Sequence, residues 1–392
     1  MARAFPVILS ACRTPIGRYL GALAGRTAVE LGVVAARGAI TRAAIEASGI
    51  EEAIVGCVLP AGLGQAPARQ VALRAGMSPG SSALTVNMVC GSGLRAVMLA
   101  ETAIRAGDAS IALAGGIESM SNAPHLLTGG RSGWKIGEKA LVDSILHDGL
   151  NCAVEGWPMG MAAERTAEAC GLSRDDLDAY AAESQRRAFG AVASGAFRDE
   201  IEAVPAWGKA KAVEADEGPR PETTVATLGR LAPAFKPDGL VTAGNASTLS
   251  DGAAMLVVAS EARAAEIGGR PMARIVASAT SGLDPRDLFL APIDAVKVAL
   301  KRAGLSAGDV DLYEINEAFA AQMIGCIRGL GLDPVRVNVR GGAIALGHPI
   351  GASGARILVT LLHALIQTGG RYGVAALCLG GGNAVAMVVE RI

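Results

Sequence analysis

Paired cysteines are missing from this chain. Its seven cysteines, Cys12, Cys57, Cys90, Cys152, Cys170, Cys326 and Cys378, are scattered and odd in number, with no C-x-x-C pair among them. That argues against a disulfide framework and against a structural zinc site. No unbroken apolar run reaches the roughly 18 residues of a membrane span. Charge of one sign is also absent: the formal net charge is -1, which offers nothing to nucleic acid or to an anionic membrane surface. No P-loop, H-E-x-x-H helix or G-x-S-x-G elbow occurs. The N-terminus has no basic segment followed by a long apolar stretch. No signal or transit peptide is visible, so a reducing cytoplasm is the expected compartment.

What is present is a large apolar chain. It has 392 residues, 51% hydrophobic, enough for two or three domains and a sizeable core. Its 51 glycines, without a collagen period, predict many tight turns and close backbone approaches. Short apolar runs such as PVILSA, AIVGCVLP, ALTVNMV and ASIALAGGIES alternate with helical periodicity over AVELGVVAARGAITRAAIEA and over about 92–106. This alternation predicts an α/β sheet with helices on its faces. From about 119 to 245 charge, tryptophan and proline increase, and a helix there begins at the capping box Ser173-x-x-Asp176. The α/β pattern then resumes.

The two α/β stretches resemble each other in order. CGSGLRAVML matches GASGARILVT, SIALAGGIES matches GVAALCLGGGNAVAMVVE, and EEAIVGCVLPAG matches GDVDLYEINEAFA. The expected organisation is an N-terminal half from 1–118 plus 246–270, an inserted loop domain over 119–245, and a C-terminal half over 271–392.

Four places invite chemistry. Cys90 follows an apolar strand and precedes Gly91-Ser-Gly93 at a predicted helix start. Unpaired N–H groups and the helix dipole there favour a thiolate. The same stretch fits G-x-G-x-x-A through Ala96, with Glu118 placed as a ribose-binding acid, so a dinucleotide site is a rival reading. His348 lies among glycines, and the internal alignment sets it near the position of Cys90. A cysteine beside a histidine is activated as a nucleophile. Cys378 precedes three glycines whose N–H groups suit an oxyanion. Asn316 and Glu317 stand between an apolar strand and a helical run, where Asn316 is either a helix cap or a polarising donor. His125, His147, His363 and the other five cysteines read as structural.

NMVCGSGLRA, GGIESMSNAP, TAGNAS, NEAFA, NVRGGAIALGHPIGASGAR and CLGGG together resemble the thiolase family, in thiolase order and over essentially the whole chain. Within it the chain looks most similar to short-chain acetyl-CoA acetyltransferases. The resemblance implies a five-layered α-β-α-β-α fold from two duplicated halves, with a loop domain over the active site. It implies that Cys90 carries the acyl group and that His348 activates it. Asn316 would hold a water in an oxyanion hole shared with His348. Cys378 would take the α-proton, and the N–H groups of Cys90 and Gly380 would form the second hole. Gly91 and Gly93 would then make room for a thioester.

For coenzyme A, the resemblance points to Arg220 at the adenine and to Ala243, Gly244 and Ser247 along the pantetheine. Leu150, Met159, Thr227, Phe235 and Phe319 are further contacts. The implied substrates are acetyl-CoA, acetoacetyl-CoA and CoA, with no cofactor or metal, and the implied assembly is a homodimer or homotetramer. Two stretches depart from the family pattern. Pro158 stands where the family often has histidine, and Leu288-Phe289-Leu290-Ala291-Pro292 replaces Met-Gly-x-Gly-Pro. These leave open a 3-ketoacyl-CoA thiolase for longer chains. A non-catalytic CoA- or lipid-binding protein is the alternative of another class.

Overall fold

The computed structural model describes residues 6–392. Nine strands carry the architecture: β1 Pro6–Arg13, β2 Glu52–Gly56, β3 Ser82–Val86, β4 Ile111–Ser119, β5 Ser250–Ser260, β6 Ala273–Gly282, β7 Leu312–Ile315, β8 Tyr372–Leu379 and β9 Asn383–Arg391. They lie in the order β7-β8-β9-β6-β1-β5-β4-β2-β3, and the two-residue strand Gly17–Arg18 on β5 makes the sheet ten-stranded. Every residue of β1 and β4 is buried, the mark of strands covered on both faces.

One pattern is laid down twice. β2 runs parallel to β4, β4 antiparallel to β5, and β5 antiparallel to β1. In the same way β7 runs parallel to β8, β8 antiparallel to β9, and β9 antiparallel to β6. The two sets meet where β1 pairs with β6, Val7 opposite Arg274 and Ile8 opposite Ala273. The N-terminal set has one more strand, β3, at its outer edge.

The main helices are α1 Ala28–Ala43, α2 Pro67–Arg74, α3 Ser92–Ala106, α4 Met159–Ala169, α5 Arg174–Ala193, α6 Ala291–Ala303, α7 Ala320–Leu330 and α8 Ile350–Thr368. α1 and α2 share an apolar core with one face of the N-terminal strands, and α6 does so with the C-terminal strands. α3 and α8 are packed between the halves. Leu94, Val97 and Ile104 join Leu358, Leu361 and Leu365 in a core with Ile54 and Leu256 on one side and Ala375, Leu377 and Met387 on the other. The result is five layers, α-β-α-β-α. α8 is long and apolar enough to cross a membrane, but 89% of that stretch is buried here, so it is a core helix.

Local signals explain the boundaries. Thr27 and Ser173 both close capping boxes, on α1 and α5. The apolar periodicity of the first helix runs on to Ala47, yet α1 stops at Ala44, which turns left-handed at φ 54°. Between the halves, 120–245 contributes α4, α5 and long loops. Buried ions fasten it down: Arg13 meets Glu200 and Asp216 at 2.6 Å each, and Glu200 also contacts Arg340 at 3.3 Å. Such a network holds one arrangement, because breaking any member leaves a buried charge unpaired.

Candidate active site

The chain leaves β3 and reaches Cys90 through a strained turn. Val89 is left-handed at φ 46°, a conformation a β-branched residue adopts at roughly 1–2 kcal/mol. Its neighbours hold it there. Val89 N–H donates to Asn87 Oδ1 at 3.0 Å, while Ser92 Oγ accepts from Met88 N–H at 2.8 Å and donates to Val89 C=O at 2.6 Å. The thiol thus sits at the tip of a pinned bend, two residues before α3.

Glycines bring that bend to its counterpart on α8. A Cβ on Gly93 would lie 2.8 Å from the backbone N of Ala355, and one on Gly354 would lie 2.5 Å from Leu94 N. A Cβ on Gly91 would run into the Leu379 side chain. These glycines therefore make room for protein, for α8 and for β8, and not for a thioester or a pyrophosphate as the sequence suggested. The rival dinucleotide reading fails at its acid as well. Glu118 is fully buried and accepts from the N–H groups of Val58, Leu59 and Gly351 at 3.1, 3.3 and 2.9 Å. Burial pushes its carboxyl up to about 7 against the pull of those donors.

His348 stands two residues before α8 and is 6% exposed. Ser353 Oγ donates to Pro349 C=O at 2.9 Å, so it must accept from His348 Nδ1–H at 2.6 Å. That assignment leaves Nε2 with its lone pair free, and the Asn316 Nδ2 amide faces it at 3.4 Å. Asn316 Oδ1 is buried without a partner among the described residues. Burial, followed by the Arg356 cation, lowers the His348 pKa to about 3, which keeps the ring a neutral base.

Cys378 ends β8, and the Gly380–Gly382 turn into β9 follows, Gly381 and Gly382 at φ 85° and 93°. The turn aims Gly380 N–H at Cys90, where it and the N–H of Cys90 itself stabilise the thiolate. They are outweighed. Burial pushes the Cys90 group up to about 12, so it rests as a thiol and not as the thiolate expected from a helix start. The donors at that helix start are occupied within the bend: Gly91 N–H binds Met88 C=O and Ser92 N–H binds Val89 C=O. Cys378 is raised well above the usual thiol range, first by burial and then by Cys90.

Cys90, His348, Cys378 and Gly380 line one cavity of about 190 Å³, with Asn316 behind His348. Apart from these groups and from Ser247 and Thr248 the wall is apolar, including Met120, Leu150, Met159, Phe235, Leu288, Phe289, Phe319 and Ile350. A thiol, a neutral imidazole, a second thiol and two inward N–H groups in a largely apolar chamber suit acyl transfer between sulfur atoms. Among the described residues no cluster of three His, Cys, Asp or Glu side chains is arranged to hold a metal.

Family models for the thiolase N-terminal and C-terminal domains match residues 6–262 and 269–391. The chain belongs to the thiolase family. An acetyl-CoA acetyltransferase of Escherichia coli K12 is 49% identical, with 98% of this chain and 99% of that protein covered. Proteins of the same name from Pseudomonas aeruginosa and Cupriavidus necator are each 48% identical at the same coverage.

In this thiolase the residues assigned to coenzyme A separate into two groups. Leu150, Met159, Phe235, Ser247 and Phe319 line the cavity with the reactive groups. Arg220, Thr227, Ala243 and Gly244 do not. Arg220 N–H binds Gln185 Oε1, Thr227 caps its own short turn with Thr224, and Gly244 lies against Leu228 and Leu231. Of the two departures, Pro158 is in the wall, and so are Leu288 and Phe289, with Phe289 edge-on to Phe319 at 5.2 Å between centroids. Ser353, Glu118 and Asn338 were not singled out as parts of the site from sequence. Of these, Glu118 is read from sequence only as the acid of the rival dinucleotide site.

Proposed function

We propose that this thiolase condenses two molecules of acetyl-CoA to acetoacetyl-CoA and CoA, and runs the reverse thiolysis, through an acetyl group carried on Cys90. The observation that carries the reading is the convergence of Cys90, His348, Cys378 and Gly380 on one cavity with Asn316 behind the imidazole.

The proton balance follows from the two cysteines. His348 Nε2 takes the Cys90 proton as sulfur attacks the acetyl carbonyl, and the Cys90 and Gly380 N–H groups hold the oxyanion. The CoA sulfur leaves with the proton of Cys378, which becomes a thiolate. A second acetyl-CoA enters, and the Cys378 thiolate removes its α-proton. The enolate oxygen is held by protonated His348 Nε2 together with a water bound by Asn316. The α-carbon attacks acetyl-Cys90, the carbon–sulfur bond breaks, and His348 returns its proton to Cys90. The protein ends as it began. Cys378 thereby gives up one proton and takes back another without titrating in solvent, which suits a buried thiol.

The wall of Leu288, Phe289 and Phe319 behind Cys378 supports a small acyl group over the longer chains of a 3-ketoacyl-CoA thiolase. The reactive groups tell against a mere CoA or lipid binder. Arg220 at the adenine, Ala243 and Gly244 along the pantetheine, and the division at 119–245 as a CoA-binding loop domain belong to the same proposal. So do Thr227 as a contact, a homodimeric or homotetrameric state and a cytoplasmic location, each supported by the family. Mass spectrometry after incubation with acetyl-CoA tests the reading. One acetyl group on Cys90, absent in Cys90→Ala, is expected. Acetylation elsewhere, or none with a competent thioester, overturns it.

A further inference from the structure

β7 is the last strand of the sheet, and the peptide before Asn316 lies on its open edge. On the inner side the ladder is ordinary. Ile315 pairs with Ala376, and Asn316 N–H donates to Ala376 C=O at 2.9 Å. On the outer side, where the N-terminal half has β3, a side chain substitutes for a strand. Ile315 N–H donates to Asn338 Oδ1 at 2.9 Å, and Asn338 Nδ2 donates to Ile315 C=O at 2.8 Å. The second Nδ2 hydrogen goes to Glu317 Oε1 at 3.1 Å. Asn338 is 1% exposed and left-handed at φ 47°, and its own N–H binds Tyr313 C=O at 2.8 Å.

Glu317, also buried, is held from three further directions. Tyr180 and Ser184 of α5 donate to it at 3.0 and 2.6 Å, and Ile344 N–H at 3.2 Å. The residues on either side of Asn316 are therefore fixed, while its own side chain is left to meet His348. A short strand edge held only by its inner ladder would fray.

We propose that Asn338 and Glu317 are a positioning pair that sets the Asn316 amide against His348, and that they serve the carbon–carbon step rather than acylation. The inference rests on the role given to Asn316 above. Acylation draws on Cys90, Gly380, Cys378 and the Ser353-oriented His348, none of which touches Asn338. Holding the enolate oxygen draws on Asn316 through the water its amide positions beside His348. A displacement of about 1 Å at such a donor lowers turnover roughly 10²-fold. Asn338→Asp keeps the shape but loses both donations and sets a second carboxylate beside Glu317. Asn338→Ala removes the clamp, and Glu317→Gln weakens it.

The test measures two quantities on each folded variant: the rate of acetyl-Cys90 formation by mass spectrometry, and kcat and KM for condensation. Acylation within about 3-fold of the parent and a kcat loss of about 10²-fold at unchanged KM are expected for Asn338→Ala, no less for Asn338→Asp, and a smaller kcat loss for Glu317→Gln. Should the Asn338 variants fail to fold, the same split in Glu317→Gln decides. Acylation and condensation falling together, or neither falling, overturns the clamp. The parent is the control: if it forms no acetyl-Cys90, the assignment of the site fails first, independently of the clamp.

Discussion

Cys57, Cys90 and Glu118 of the N-terminal half stand where Asn316, His348 and Cys378 stand in the C-terminal half. The strand registers make the correspondence. Gly56 pairs with Gly116 as Ile315 pairs with Ala376, so Cys57 matches Asn316 and Glu118 matches Cys378. Cys90 and His348 each lie two residues before a central helix. The outcomes differ with the partners. Cys378 meets Cys90 across the cavity, whereas Glu118 is occupied by three backbone N–H groups, one of them at the start of α8. Cys57 is 1% exposed and packs, while Asn316 faces a histidine. A duplicated scaffold supplies equivalent positions, and what each does is decided by whether neighbours consume its polar atoms.

Removing Cys378 should have the largest effect on this contrast. Cys378→Ala is expected still to acetylate at Cys90, though more slowly for want of the proton that CoA takes, yet to lose about 10³-fold in condensation, read by mass spectrometry and a coupled assay side by side. Full condensation would make Cys378 as structural as Glu118.

Acid separates the halves next. His348 is held near 3 by burial and Arg356, whereas an unfolded histidine titrates near 6.5. Between those values the unfolded chain binds one more proton, so stability rises with pH and is lost as pH falls from about 6.5 toward 3. His348 should account for on the order of 3 kcal/mol between pH 7 and pH 4. Its counterpart Cys90, raised to about 12, does not titrate there. Urea unfolding at both pH values should show a shallower loss in His348→Gln than in the parent. His363, lowered in the same direction by burial, remains to contribute in both. Equal slopes would remove His348 from the account.

The smallest effect is expected at Glu118. Glu118→Gln turns an NH₂ toward backbone N–H groups, which leaves donors unpaired at roughly 1–3 kcal/mol. The thermal midpoint should fall while the folded protein still acetylates at Cys90. Loss of acetylation at unchanged stability would make Glu118 part of the chemistry.

Much of this was readable beforehand where the signal is local. Gly-Ser-Gly after Cys90 marked a helix start, the Ser173 box opened α5 as expected, the repeated order of motifs gave the duplication, and the family resemblance implied the five layers. What sequence could not weigh was competition. The dipole argument for a Cys90 thiolate was sound in isolation, but Met88 and Val89 carbonyls occupy the donors and burial dominates. Gly91 and Gly93 were seen to make space, yet what fills it lies more than 250 residues away, on α8 and β8. Asn338 began a motif already recognised; that its side chain stands in for a strand depends on β7 having an open edge, which only the assembled sheet reveals.

The position of α8, after α3 and β5 in chain order, has a consequence for synthesis. A ribosome that has finished α3 and β5 has made a sheet whose inner face still waits for Leu358, Leu361 and Leu365. Until those residues emerge the nascent chain carries a bare apolar surface on that face of the sheet. Chaperone demand and inclusion-body formation should therefore be governed by the interval before residues 350–368 are translated, and truncations just short of 350 should be far less soluble than the 392-residue chain.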